Sequence, residues 1–222
     1  MYISFQSPAR ALHRHFWRLW WLKVPGCALF IWLFFQGYFL LLHYPHAHVW
    51  TMPLTWLDRT LPMQWWAWFP YLSLWVYTCL PPALMPSVRG LAYYGLAVAL
   101  MSVLGLVLFY LWPTMIPPVV RPPGTELSFL QGVDTSGNAC PSLHVASAVY
   151  AAIWLHAQLR AVGAGRIWRY ANHLWWGLIV YSTLATKQHV VLDVLGGLVL
   201  GGLTGWLSLM VYRRWVGGFL QR

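Results

Sequence analysis

The residues that could do chemistry in this 222-residue chain fall mostly in its second half. Asp193 closes the run His189-Val190-Val191-Leu192-Asp193, about one turn into a long apolar stretch. A carboxylate near membrane depth is costly and faces a partner or a cavity. His189 lies four residues earlier, so the two share a helix face. An imidazole N–H donated to the carboxylate would fix the tautomer and leave the other ring nitrogen as nucleophile or base. The same pair would serve equally well as a buried tie between helices. A second group is Cys140-Pro141-Ser142-Leu143-His144. Pro141 and Ser142 suit a helix start, with Ser142 as N-cap. His144 then falls in the first turn, where the free amides near Leu143 and His144 favour anions, phosphate above all. Alone, this is also what a capped helix with an interfacial histidine looks like. The third group is cationic: Arg121 before Pro122, and Lys187 two residues before His189. Arg suits forked contact with phosphate oxygens, although either charge alone reads as a headgroup contact.

The elements that must hold these residues are membrane spans. The chain is 59% hydrophobic and 8% charged, with 17 Trp. Soluble domains are about 25% charged, so an ordinary water-facing surface is excluded, as is a disordered basic tail. Six apolar stretches, roughly 24–43, 65–85, 90–112, 142–160, 170–187 and 189–212, each approach the ~20 residues that cross a bilayer. The second is the weakest, interrupted or ended by Pro70, Pro81 and Pro82. The expected class is all-α: a polytopic six-helix transmembrane bundle forming a single membrane-embedded domain over 1–222. No cleavable signal precedes the first span. The segment from Arg10 to Lys23, with Phe16, Trp17, Trp20 and Trp21, reads as a short interfacial helix or as a basic flank with Trp anchors.

Charge gives the orientation. Fourteen Lys and Arg face four acidic residues, for a net charge of +10. With both termini cytoplasmic, only Arg59, Arg121 and Lys187 fall outside, a clear positive-inside asymmetry. The excess base is then a topology signal suited to anionic lipid, not a sign of nucleic acid. The Pro- and Gly-rich segment 113–141 becomes a long outer loop, and loops of that length are often functional.

Taken together, Arg121, Ser142, His144, Lys187, His189 and Asp193 come from three segments that meet at one outer face. Two histidines, an orienting carboxylate, two cations and a helix start suit phosphoryl transfer. The sequence resembles the type-2 phosphatidic acid phosphatase (lipid phosphate phosphatase) superfamily. That family carries Lys-x6-Arg-Pro, Pro-Ser-Gly-His and Ser-Arg-x5-His-x3-Asp. Here the motifs read Arg121-Pro122, then Pro141-Ser142-Leu143-His144, then Ser182-Thr183 with His189 and Asp193 at the family spacing. Thr114 stands at the first motif's Lys, Thr183 at the third motif's Arg, and Leu143 at the Gly. The wording around His144 and His189 is similar to a branch with inositolphosphorylceramide synthase-like transferases.

The resemblance implies that His189 is a nucleophile forming a phosphohistidine, that Asp193 orients it, and that His144 is the acid. Arg121, Lys187, Ser142 and the Leu143 amide would hold phosphate, with Ser182 and Thr183 as possible contributors. No metal or other cofactor is implied. The partners are a membrane lipid phosphate and the bilayer, and the expected location is a bacterial inner membrane with the site on its periplasmic face. Hydrolysis and transfer to a lipid or polyol hydroxyl both remain open, and so does a non-enzymatic anionic-lipid binding or transport protein.

Other groups carry less. His43, His46 and His48 could bind a metal, with Asp58 as the nearest carboxylate, or line an interfacial loop. Glu126 and Asp134 read as solvated loop residues. Cys27, Cys79 and Cys140 are too scattered for a disulfide framework or a zinc site. Gly196, Gly197, Gly201 and Gly202 form a small-residue stripe for close helix packing.

Overall fold

The computed structural model describes residues 7–118, 137–217 and 220. Arg121, Glu126 and Asp134 lie outside the described residues, as does most of the 113–141 loop.

The chain opens with α1, Pro8–Trp17. Ser7 caps it by accepting from the Arg10 amide, and Pro8 fits the first turn, where no N–H donor is needed. A short helix thus stands where an interfacial one was expected, and it stops at Trp17. Leu19, at φ 62°, turns the chain into α2, Trp20–His43. The expected second span, 65–85, is not one helix. It is a 3-10 turn at Trp65–Ala67, α4 at Trp68–Tyr77 and α5 at Leu80–Ala83; α3, Trp56–Thr60, precedes it. Pro81 and Pro82 have no N–H to give the carbonyls of Tyr77 and Thr78, so the α4 ladder ends there and a new turn begins.

Next come α6, Val88–Leu111, α7, Leu143–Ala161, α8, Arg166–Ala185, and α9, Val191–Val211, which runs on as a π turn over Tyr212–Val216. The all-α expectation misses one small feature. β1, Trp50–Thr51, pairs in parallel with β2, Thr114–Met115, with Trp50 opposite Thr114. Pro113, Pro117 and Pro118 keep that stretch out of a helix, and the pairing satisfies its backbone instead.

Among the described residues, α2, α6 and α9 with its continuation are long and apolar enough to cross a membrane. Leu29, Trp32 and Leu40 on α2, Leu96 and Leu100 on α6, and Val199 and Leu203 on α9 are exposed. Such an apolar belt suits lipid and not water. The chain is a mostly helical membrane protein.

α7 is the central helix. Ala146, Tyr150 and Trp154 pack with Tyr94, Met101 and Phe109 of α6 and Leu209 of α9. Ala148, Ala151 and Leu155 pack with Leu74 and Tyr77 of α4 and Ile179 of α8. Surrounded by protein, α7 can be rich in Ala and carry polar groups that are paired. Gln158 donates to the Pro81 carbonyl at 2.8 Å, and Trp154 donates to Ser208 Oγ at 3.0 Å. Asn172 of α8 accepts from the Tyr77 hydroxyl at 2.7 Å and donates to the Ala152 carbonyl at 3.1 Å. These ties align the helices whose N-terminal ends build the site.

Candidate active site

α7 and α9 begin side by side. Gly197 and Gly201 of α9 face the backbone of Ser142 and Ala146, and a Cβ at either glycine would collide with it. The stripe therefore allows backbone-to-backbone approach, as expected, with Gly205 rather than Gly202 continuing the contact face. The Ser142 amide donates to the Asp193 carbonyl at 2.9 Å. Ser142 Oγ accepts from the Val145 amide at 3.2 Å, which makes it the N-cap of α7. This fastening sets His144 across from His189.

Asp193 is fully buried. Its Oδ2 lies 2.8 Å from His189 Nδ1. Its Oδ1 accepts from the amides of Val190 at 2.7 Å and Val194 at 3.1 Å. A carboxylate so supplied is kept acceptor-only. An imidazole that donates its Nδ1–H to this oxygen carries its lone pair on Nε2. The His189 amide donates to the Thr183 carbonyl at 3.1 Å, which fixes the backbone as well.

His144 stacks on Tyr71 at 4.1 Å between ring centroids and 16° between planes. Its Nε2 is buried without a hydrogen-bond partner among the described residues. The His144 and His189 rings are 6.4 Å apart, centroid to centroid.

The remaining expected contacts are positioned differently. Lys187 adopts φ 57°, and its Nζ donates to the Asp58 carbonyl at 2.8 Å. Burial draws its pKa below the ordinary lysine value, against the opposing pull of Asp58. Ser182 and Thr183 are buried, and their hydroxyls donate to the carbonyls of Ile179 and Val180 in their own helix. Thr114, at the first motif's Lys position, is also buried and accepts from the Cys140 amide at 2.8 Å. Leu143 packs its side chain against Gly105 of α6, where a Cβ would meet it. His43, His46 and His48 do not converge: His43 bonds the Phe39 carbonyl, His46 stacks on Tyr110 and His48 meets Trp50 edge-on.

Sequence reasoning leaves Asp58 without a role, and the structure gives it one. Its Oδ2 accepts from the Thr55 amide and hydroxyl, and its Oδ1 accepts from the Val191 amide at 2.9 Å. With Lys187 on its carbonyl, Asp58 joins α3 to the loop that carries His189. The Thr55-x-x-Asp58 capping box is visible in sequence. Its reach to Val191, 133 residues away, is not.

The family model described as the PAP2 superfamily matches residues 90–216. The chain belongs to the PAP2 superfamily. The match covers more than half of the sequence and contains His144, His189 and Asp193. Members of the PAP2 superfamily are phosphatases and phosphotransferases, so membership supports an enzyme of that broad type. Neither a curated protein nor a solved structure matches the chain.

Proposed function

We propose that this PAP2 protein is an integral membrane lipid phosphatase. It acts without metal on a lipid phosphate or pyrophosphate at the outer membrane face, within a six-span bundle whose termini are both cytoplasmic, in the manner of a bacterial inner-membrane enzyme. The observation that carries this reading is the buried Asp193 holding His189 at 2.8 Å, with the His144 ring centred 6.4 Å from the His189 ring.

His189 Nε2 attacks phosphorus, forming an N–P bond as the P–O bond to the lipid breaks. The departing oxygen takes the bond's electron pair and a proton from His144 Nε2. A water molecule then attacks the phosphohistidine and gives its proton to His144, and the N–P bond breaks to release phosphate and restore His189. With the phosphate bound between the two rings, the nucleophile and the general acid would stand on opposite sides of its phosphorus, the arrangement that in-line displacement requires. Arg121, Lys187, Ser142 and the amides of Leu143 and His144 would steady the phosphate oxygens. Ser182 and Thr183 would act through the loop they hold.

Replacement of two family cations by buried Thr114 and Thr183 favours a second reading. In it the donor is a lipid carrying a phospho-headgroup, His189 holds that headgroup's phosphorus as the lipid oxygen leaves, and a lipid or polyol hydroxyl replaces water, so the N–P bond breaks to form a phosphodiester. A protein that only bound headgroups would need no second histidine facing the His–Asp pair.

The test is phosphate release from lipid phosphates in detergent with EDTA present, with and without an added alcohol. Release unaffected by EDTA is expected, with losses of a thousandfold or more in Asp193→Asn (order of magnitude from comparable His–Asp pairs) and near-complete loss in His189→Ala. A phosphate ester of the added alcohol in place of free phosphate would establish the transferase. Headgroup binding with no turnover on any phospholipid would overturn the enzyme.

A further inference from the structure

A second pair of histidines meets at the end of the bundle opposite His144 and His189. His156 Nδ1 of α7 and His173 Nε2 of α8 are 3.0 Å apart. The indole N–H of Trp176 donates to His173 Nδ1 at 3.3 Å. An indole can only donate, so this contact sets the neutral tautomers in turn. His173 accepts at Nδ1 and donates its Nε2–H to His156 Nδ1. His156 then carries its own proton on Nε2. The relay ends in that N–H, which has no acceptor among the described residues.

Cations surround this end of the relay. α7 and α8 run antiparallel, and residues 162–165 connect them. Arg160 lies one turn beyond His156, and Arg169 one turn before His173, so both flank the pair on the side of the connection. Arg160, Arg169 and Arg213 all act on His156 through space. Arg169 Nε is buried without a hydrogen-bond partner among the described residues. Arg169 also stands at the start of α8, where no acidic residue sits in the first turn and Gly165 gives no side-chain cap. A cation is disfavoured at that positive end of a helix. Guanidinium groups gathered in this way repel one another unless an opposite charge stands among them. The acidic residues among those described, Asp58 and Asp193, lie at the other end. The same guanidiniums oppose a metal ion between the two histidines. The missing partner is therefore an anion.

The depth of the cluster says where that anion comes from. Arg160 is sixteen residues along α7 from His144, about 24 Å. The hydrocarbon core of a bilayer is about 30 Å thick. With the candidate active site at one membrane surface, the arginines stand near the headgroups of the other. Trp168 and Tyr170, at the start of α8, are exposed, as aromatic residues at a membrane–water boundary are.

We propose that Arg160, Arg169 and His156 form a phosphate site for an anionic phospholipid of the leaflet opposite the candidate active site. The guanidiniums donate to the unesterified phosphate oxygens, and His156 Nε2–H adds a third donor. A zwitterionic lipid offers the same phosphate but brings a cation among the arginines. The site does not depend on the phosphatase chemistry and would stand in a protein that only bound lipid.

The test is native mass spectrometry of the delipidated full chain in neutral detergent, titrated with phosphatidylglycerol, phosphatidylcholine or inorganic phosphate. Phosphatidylglycerol should bind about tenfold more tightly than phosphatidylcholine. Its affinity should fall about tenfold or more in Arg160→Gln/Arg169→Gln and severalfold in His156→Leu. It should hold in Arg10→Gln/Arg14→Gln, which removes the same charge from α1. The altered groups are far from His144 along α7, so lipid bound at the candidate active site would not follow this pattern. Equal affinity for the two lipids in the unaltered protein, which needs no variant to fold, would overturn the proposal. So would unchanged binding in either site variant, or an equal loss in the α1 variant. Inorganic phosphate displacing phosphatidylglycerol from these residues at matched concentration would overturn the lipid as occupant.

Discussion

His189 is held at its ring by Asp193, at its amide by Thr183, and, through its neighbours Lys187 and Val191, by Asp58. Asp58 touches neither histidine in this arrangement, so it is a positioning residue. Asp58→Ala leaves the Val191 and Thr55 amides without their side-chain acceptor, while the carbonyl that Lys187 bonds remains. The expected cost is about 1–3 kcal/mol of stability, from unsatisfied groups at a partly buried site. Turnover should fall as the His189 loop loosens. Asp58→Asn keeps an acceptor oxygen for Val191 and should recover most of both, as read by thermal unfolding and by kcat against KM. Equal losses in the two variants would show that the charge, not the clamp, matters. The His–Asp pair is legible in sequence because its spacing is local. Asp58 is not, because its decisive contact closes a loop of more than a hundred residues. Lys187 is legible as an outlying cation, but its hydrogen bond to the Asp58 carbonyl depends on a left-handed backbone that composition does not reveal.

At the scale of elements, the α7–α9 contact carries the candidate site, because His144 and His189 sit at the adjoining starts of these two helices. The glycine stripe announces a close approach, yet only three-dimensional packing selects which glycines face α7. Gly201→Val would drive a side chain into the Ala146 backbone and is expected to lower the unfolding temperature and abolish turnover. Gly202→Val meets open space and should fold and turn over normally. A matched loss in both variants would mean that helix propensity, not packing, governs this stretch. The broken second span shows the opposite limit of reading. Hydropathy averages over 65–85 and registers one apolar run, while Pro81 and Pro82 act on individual carbonyls. α7 is likewise central for a reason hydropathy misses: it faces protein on most sides, so it needs small residues and paired polar groups rather than a uniformly apolar surface.

For the whole molecule, the ends of the bundle differ in charge. Asp58 and Asp193 lie at the site end, whereas Arg14, Lys23, Arg89, Arg160, Arg166 and Arg213 lie toward the other. This asymmetry is legible from composition and span order alone, and it makes orientation a prediction. In a Cys140→Ser background, a cysteine at Arg59 should react with a membrane-impermeant maleimide on intact cells, and one at Arg166 only after lysis. The reverse pattern would invert the proposed topology and place the site inside.

The central claim is that phosphorus passes through His189. It is tested most directly by quenching the His144→Ala variant during turnover of a lipid pyrophosphate, whose phosphate leaving group departs without a general acid, and mapping phosphate on the protein by mass spectrometry under alkaline conditions, which preserve phosphohistidine. Loss of His144 should slow hydrolysis of the intermediate, so phosphate is expected on the peptide containing His189 and nowhere else. Continued turnover with no phosphate on His189, or wild-type turnover in His189→Ala, would contradict it.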